Sequence, residues 1–122
     1  MSRIIKFRVW NKECQSMDEI DGCNLYLADN EIYEVYESGH NNYNPYMEKD
    51  NVTDKYELMQ YSEINDKFGI EIYEGDIYKY RDRTKEVRYE DGAFWFGGTI
   101  LSHVRGGEII GDKYENPELL NN

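Results

Sequence analysis

Long apolar runs are missing from this 122-residue sequence, so no segment approaches the roughly 20 residues needed to cross a bilayer as a helix. No charged start leads into an apolar stretch either, which argues against a standard secretion signal. Cysteine is scarce: Cys14 and Cys23 have no Cys or His neighbours at ligand spacing. They read as reduced thiols of a cytoplasmic protein rather than a zinc site. His40 and His103 are the only histidines and stand far apart, so a His-based triad or a metal pair has no support. A phosphate loop ending in Gly-Lys-Ser/Thr and a Gly-x-Ser-x-Gly elbow are both absent. The expectation is a protein without enzymatic activity, cofactor or metal.

Basic residues are the next shortage. Fourteen Lys and Arg face 25 Asp and Glu, a net charge of −11. Double-stranded nucleic acid would be repelled, because such binding depends on cations displacing condensed counterions. A basic protein partner suits the charge, and so does solubility alone. What the chain does have is aromatic side chains, 12 Tyr, 4 Phe and 2 Trp, which implies an aromatic rather than aliphatic core. The length fits a single domain, read as an N-terminal lobe over 1–55 and a second lobe over 56–122.

The chain is organised around residues 56–78. Leu58-Met59 and Ile70–Tyr73 flank Asn65-Asp66-Lys67-Phe68-Gly69, a turn in which Gly69 can take a positive φ. Glu74-Gly75-Asp76 then turns the backbone again before Ile77–Tyr80. Two turns so close together suit the entry to a small, sharply bent β-barrel.

These residues also carry a resemblance. Leu58-Met59-Gln60-Tyr61, followed by Asp66-Lys67-x-Gly69-x-Glu71-Ile72-Tyr73-Glu74-Gly75-Asp76-Ile77, is similar to the central block of the YopX family of small phage and prophage proteins. Lys6-Phe7-Arg8-x-Trp10 with Met17 resembles the family's opening. Ile110-Gly111-x-x-Tyr114-Glu115-Asn116-Pro117-Glu118-Leu119-Leu120 resembles its close. Ser62-Glu63 and Gly111-Asp112 depart from the usual Thr-Gly and Gly-Asn. The resemblance implies a mainly β (α+β) protein, with a mixed N-terminal half, a C-terminal SH3-like barrel and a phage context. It brings no catalytic residues.

In chain order, residues 3–10 alternate as a strand that turns Ile5, Phe7 and Val9 inward. Met17 returns to the core before a turn at 18–22. Leu25–Ala28 and Ile32–Tyr36 flank Asp29-Asn30, a hairpin turn. Ile32, Val35 and Tyr36 also fit one helix face, but their β-branched and aromatic content favours a strand. Residues 38–54 have no period and read as a long loop. Strands at 77–81 and 86–89 surround a turn at 82–85. Asp91-Gly92 then makes the strongest hairpin signal, leading to Ala93–Phe96. Thr99–Val104, carrying His103, and Glu108–Ile110 complete five short strands. Asn116-Pro117 turns the chain, and Leu119-Leu120 pin its end.

Candidate binding residues are Tyr43 and Tyr46 in the loop, and Tyr78, Tyr80, Arg81, Arg83, Arg88 and Trp95 on the strands. Gly69, Glu74, Gly75, Asp76, Asn116 and Pro117 form a structural motif. Glu71, Glu74 and Asp76 could serve as paired carboxylates, though an Asp at a strand entry is equally explained by bonds to backbone N–H groups. Phe94 and Phe96 must face away from Trp95. Two readings follow: a phage accessory protein binding a host protein through an acidic, aromatic surface, or a protein binding a small nucleotide-like ligand in an aromatic and Arg-lined pocket. Exposed strand edges also favour a homo-oligomer.

Overall fold

Twelve strands and short 3-10 turns account for the regular structure in the computed structural model, which describes residues 4–20, 24–40 and 45–120. Among these residues there is no α-helix, so the protein is mainly β. Its packing divides into two units, Phe7–Leu58 and Met59–Asn122 with Met1–Lys6.

In the first unit, β1 (Phe7–Asn11) and β2 (Ser16–Glu19) form an antiparallel hairpin. The Asn11 side-chain oxygen accepts the Glu13 and Cys14 amides and so shapes the turn between them. β3 (Leu25–Ala28), β4 (Glu31–His40) and β5 (Pro45–Asn51) form a second antiparallel sheet with β4 at its centre. Positive φ at both Asp29 (51°) and Asn30 (65°) makes the two-residue turn that the sequence announces. Val9, Leu25, Ile32 and Val52 form the core here, with Leu27, Tyr56 and Leu58 packed against it.

Two expectations fail in the N-terminal half of the sequence. Ile5 is 61% exposed and lies before the first strand, while Val9 and Trp10 are both buried. Residues 38–54 are not a shapeless loop: β4 runs to His40, β5 pairs back along it, and Thr53–Lys55 make a 3-10 turn. Polar side chains hide this hairpin from any hydrophobic count, because its cohesion comes from the backbone ladder.

β6 (Tyr56–Asn65) carries the chain into the second unit, where it pairs with β7 (Glu71–Tyr73). β8 (Asp76–Tyr80), β9 (Arg83–Glu90), β10 (Ala93–Phe96), β11 (Thr99–Ile100) and β12 (Glu108–Asp112) then form one antiparallel sheet in the order β11-β10-β9-β8-β12. Tyr78, Val87, Phe96, Ile72 and Leu101 form its core, with Tyr78 and Phe96 in edge-to-face contact at 5.7 Å. Fully burying a large apolar side chain is worth roughly 1.5–3 kcal/mol, so this mixed aromatic and aliphatic cluster contributes substantially to the cohesion of the sheet.

The expected strand over Thr99–Val104 ends at Ile100 and gives way to a 3-10 turn over Leu101–His103. Leu101 and Val104 are both buried, and a spacing of three places them on one side of such a turn but on opposite sides of a strand. His103 is therefore an exposed turn residue. The turn expected at 82–85 is tighter, consisting of Arg81-Asp82 with φ +58° at Arg81.

Candidate functional site

Period two and the strand register decide what each face of the β3-β4-β5 sheet presents. On one face Leu27 lies opposite Ile32 and Leu25 opposite Glu34, and the apolar members join the core. On the other face Tyr26 lies opposite Tyr33, and Val35 opposite Lys49. The two tyrosine rings stack, with centroids 5.4 Å apart and planes 20° from parallel. The Lys49 ammonium lies 4.9 Å from the Tyr33 centroid and 6.0 Å from that of Tyr26. Tyr26, Val35, Glu48 and Lys49 line an open depression of about 530 Å³.

Val35 still donates its amide to the Asn24 carbonyl, and beyond it β4 and β5 pair as a two-stranded ribbon among the described residues. The two strands carry Glu31, Glu34, Glu37, Glu48 and Asp50 against the single Lys49. Tyr36 donates toward Glu48 Oε2 at 3.3 Å and Asp50 Oδ1 at 3.4 Å. Desolvation and these two carboxylates raise its hydroxyl above the usual tyrosine pKa, so it remains a donor. By the same register Glu34, Tyr36, Glu48 and Asp50 occupy the face opposite the tyrosine pair, so the sheet carries its aromatic platform and most of its carboxylates on different faces.

The candidate residues named from the sequence do not gather into one site. Tyr43 lies outside the described residues, and Tyr46 occupies β5 opposite Gly39. Tyr78 is fully buried and cannot meet a partner: its hydroxyl donates to the Val104 carbonyl at 2.7 Å and accepts the Gly107 amide at 2.8 Å. Tyr80 is half-buried and packs edge-to-face on Phe96. Arg81 lies over the Tyr80 ring and Arg83 over Phe96. Arg88 pairs with Glu90, and the Trp95 indole donates to the Glu90 carbonyl, on the face away from Phe94 and Phe96.

The structural motif is used as a scaffold. Gly75 takes φ +90°, its amide donates to the Val87 carbonyl, and its own carbonyl accepts the Lys113 amide. Glu74 accepts the Gln60 amide through its side chain, and Glu71 pairs with Lys6. Asp76 accepts the Tyr73 amide at 2.8 Å. Gly69, with φ +83°, closes the turn begun by Asp66. Asn116 accepts the Asp112 amide through its side chain and donates its own amide to the Asp112 carbonyl. Pro117 opens the last 3-10 turn. The three acids are therefore occupied separately, and among the described residues no cluster of His, Cys, Asp or Glu could hold a metal ion.

Sequence reading missed the Tyr26–Tyr33 stack and Asp66. The stack was accessible by counting outward from Asp29-Asn30, since Tyr26 and Tyr33 lie symmetrically about that turn. Asp66 was not: its Oδ1 accepts the Phe68 and Ile70 amides, but Oδ2 accepts that of Ile109, 43 residues away.

Among solved structures, the crystal structure of protein EF1440 from Enterococcus faecalis is similar over 98% of this chain and 99% of its own, at 29% identity and a TM-score of 0.64. No curated protein matches the chain. The family model described as YopX protein matches residues 6–121. With nearly its whole length matched, the chain belongs to the YopX family.

Proposed function

We propose that this protein is a non-enzymatic phage or prophage accessory protein that binds a basic host protein in the host cytoplasm through its β3-β4-β5 sheet. The observation that carries the reading is the stacked Tyr26–Tyr33 platform beside a depression that Glu48 also lines, on a sheet whose other face carries Glu34 and Asp50. Aromatic faces supply contact area at low entropic cost, and complementary charge steers association. Host take-over or counter-defence is the setting that a phage origin suggests. Under the same reading, the second unit is an SH3-like barrel acting as scaffold. A four-strand meander, a 3-10 turn and a return strand beside β8 support that assignment.

The test is native mass spectrometry of the tagged protein recovered from host lysate, beside the variants Tyr33→Ala and Glu48→Lys. A stoichiometric basic protein present with the wild type and lost with both variants is the expected result. A partner retained by both variants, or no partner at all, overturns the reading.

A further inference from the structure

The second unit of this acidic protein contains a cationic spot that does not serve the sheet described above. Tyr80 and Arg83 lie opposite each other across the β8–β9 turn, and Tyr78 lies opposite Lys85. The Tyr80 and Phe96 rings meet edge-to-face with centroids 6.4 Å apart, and each carries a guanidinium. Arg81 lies 5.2 Å from the Tyr80 centroid and Arg83 lies 5.0 Å from that of Phe96. Stacking on rings holds guanidinium groups in place while leaving their N–H edges free. Lys85 converges on the same point: a methyl group built on Gly97 would lie 3.6 Å from Arg83 Nη2 and 3.7 Å from Lys85 Cδ and Cε.

Convergence without a counter-charge is the telling feature. The protein's net charge is −11, yet among the described residues no carboxylate pairs with Arg81, Arg83 or Lys85. Asp82 shares the Arg81 turn and pairs with none of the three, and Glu86 is taken by Lys113. Arg83 and Lys85 are exposed cations brought together unpaired, with Arg81 held on the adjoining Tyr80 ring; like charges so placed repel one another, and an anion seated against them relieves that repulsion. We propose that Arg81, Arg83 and Lys85 form a binding site for a small, multiply charged phosphate, with Arg83 as the forked donor and Lys85 as the point charge. A small anion suits the spot better than a nucleic-acid backbone. Screening confines the positive field to about 8 Å at physiological salt, and a longer polyanion would run on into acidic surroundings.

The probe is inorganic pyrophosphate, titrated calorimetrically into the full chain at physiological salt, beside a single-stranded oligothymidylate. Saturable 1:1 binding of pyrophosphate, weakened roughly tenfold or more in Arg83→Gln and in Lys85→Gln, is the expected result. Arg83 covers Phe96, so Arg83→Gln carries some risk to folding. Lys85→Gln contacts no ring and keeps the test decisive, provided its thermal midpoint matches the wild type. Heat that does not saturate, binding unchanged in Lys85→Gln, or tighter binding of the oligonucleotide than of pyrophosphate overturns the proposal.

Discussion

The Tyr78 hydroxyl and the Gly107 amide meet at 2.8 Å inside the second unit, although 29 residues separate them in the chain. The same hydroxyl donates to the Val104 carbonyl, so one side chain satisfies two backbone groups at the approach to β12. Burial raises the hydroxyl above the ordinary tyrosine pKa, outweighing the opposing effect of the Gly107 bond, and so keeps it protonated at neutral pH. Tyr78→Phe leaves the ring in place and strands both partners. Each buried unsatisfied group costs about 1–3 kcal/mol, so the urea midpoint should fall clearly with an unchanged slope. A midpoint equal to the wild type would mean that water replaces the hydroxyl.

Gly107 also owes its identity to this contact. A methyl group there would lie 2.4 Å from the Lys79 carbonyl oxygen and 2.8 Å from Tyr78 Cζ, both held by the sheet and core. Gly98, by contrast, has open space around its added methyl and no positive φ. Gly107→Ala should therefore destabilise by about 2 kcal/mol or more, as overpacking of a rigid site does, while Gly98→Ala stays within roughly half a kcal/mol of the wild type. Thermal melts of the two variants side by side check the contrast.

The elements legible in the sequence are those whose cause is local. Asp29-Asn30, Asp91-Gly92 and the double turn around Gly69 and Gly75 state their geometry in two or three residues, and each turn forms where expected. The β4–β5 ribbon was illegible because its polar strands are held by cross-strand backbone bonds rather than by an apolar face. Tyr78 was misread for a related reason. A tyrosine on a strand suits either a surface or an interior with a waiting carbonyl, and here the carbonyl comes from Val104, 26 residues away. Alternation did separate Trp95 from Phe94 and Phe96, since facing depends only on neighbours in the strand. The convergence of Arg83 and Lys85 on Gly97 depends on a turn between two further strands and has no signal in spacing.

Asp66 predicts a dependence on pH. Desolvation tends to raise its pKa, but the Ile109, Ile70 and Phe68 amides and Lys67 outweigh it and lower the value below the ordinary 3.8. A depressed carboxylate stabilises the fold above its unfolded pKa and loses that contribution as pH falls through the folded one. Asp66→Asn cannot carry the charge that favours these three bonds. The stability gap between wild type and variant should be about 1–3 kcal/mol near neutrality and should shrink below about pH 4. Urea unfolding at neutral and acidic pH reads it directly, and a constant gap would show that the charge contributes nothing.

Asp76 and Asp112 are the other buried acids among the described residues, and they lie opposite each other on β8 and β12. Paired carboxylates are often read as acid and base, but here each has its own backbone duty. Asp76 accepts the Tyr73 amide at 2.8 Å, and Asp112 accepts those of Tyr114 and Glu115 at 2.9 Å. Removing either should therefore act on folding rather than on recognition. Asp76→Ala strands a buried N–H at the second bend of the central turn, for an expected loss of about 1–3 kcal/mol. Below the lowered melting temperature, binding through the Tyr26–Tyr33 face should persist, since that face belongs to the other unit. An unchanged melting temperature together with lost partner binding would reverse the assignment and make Asp76 part of the recognition surface.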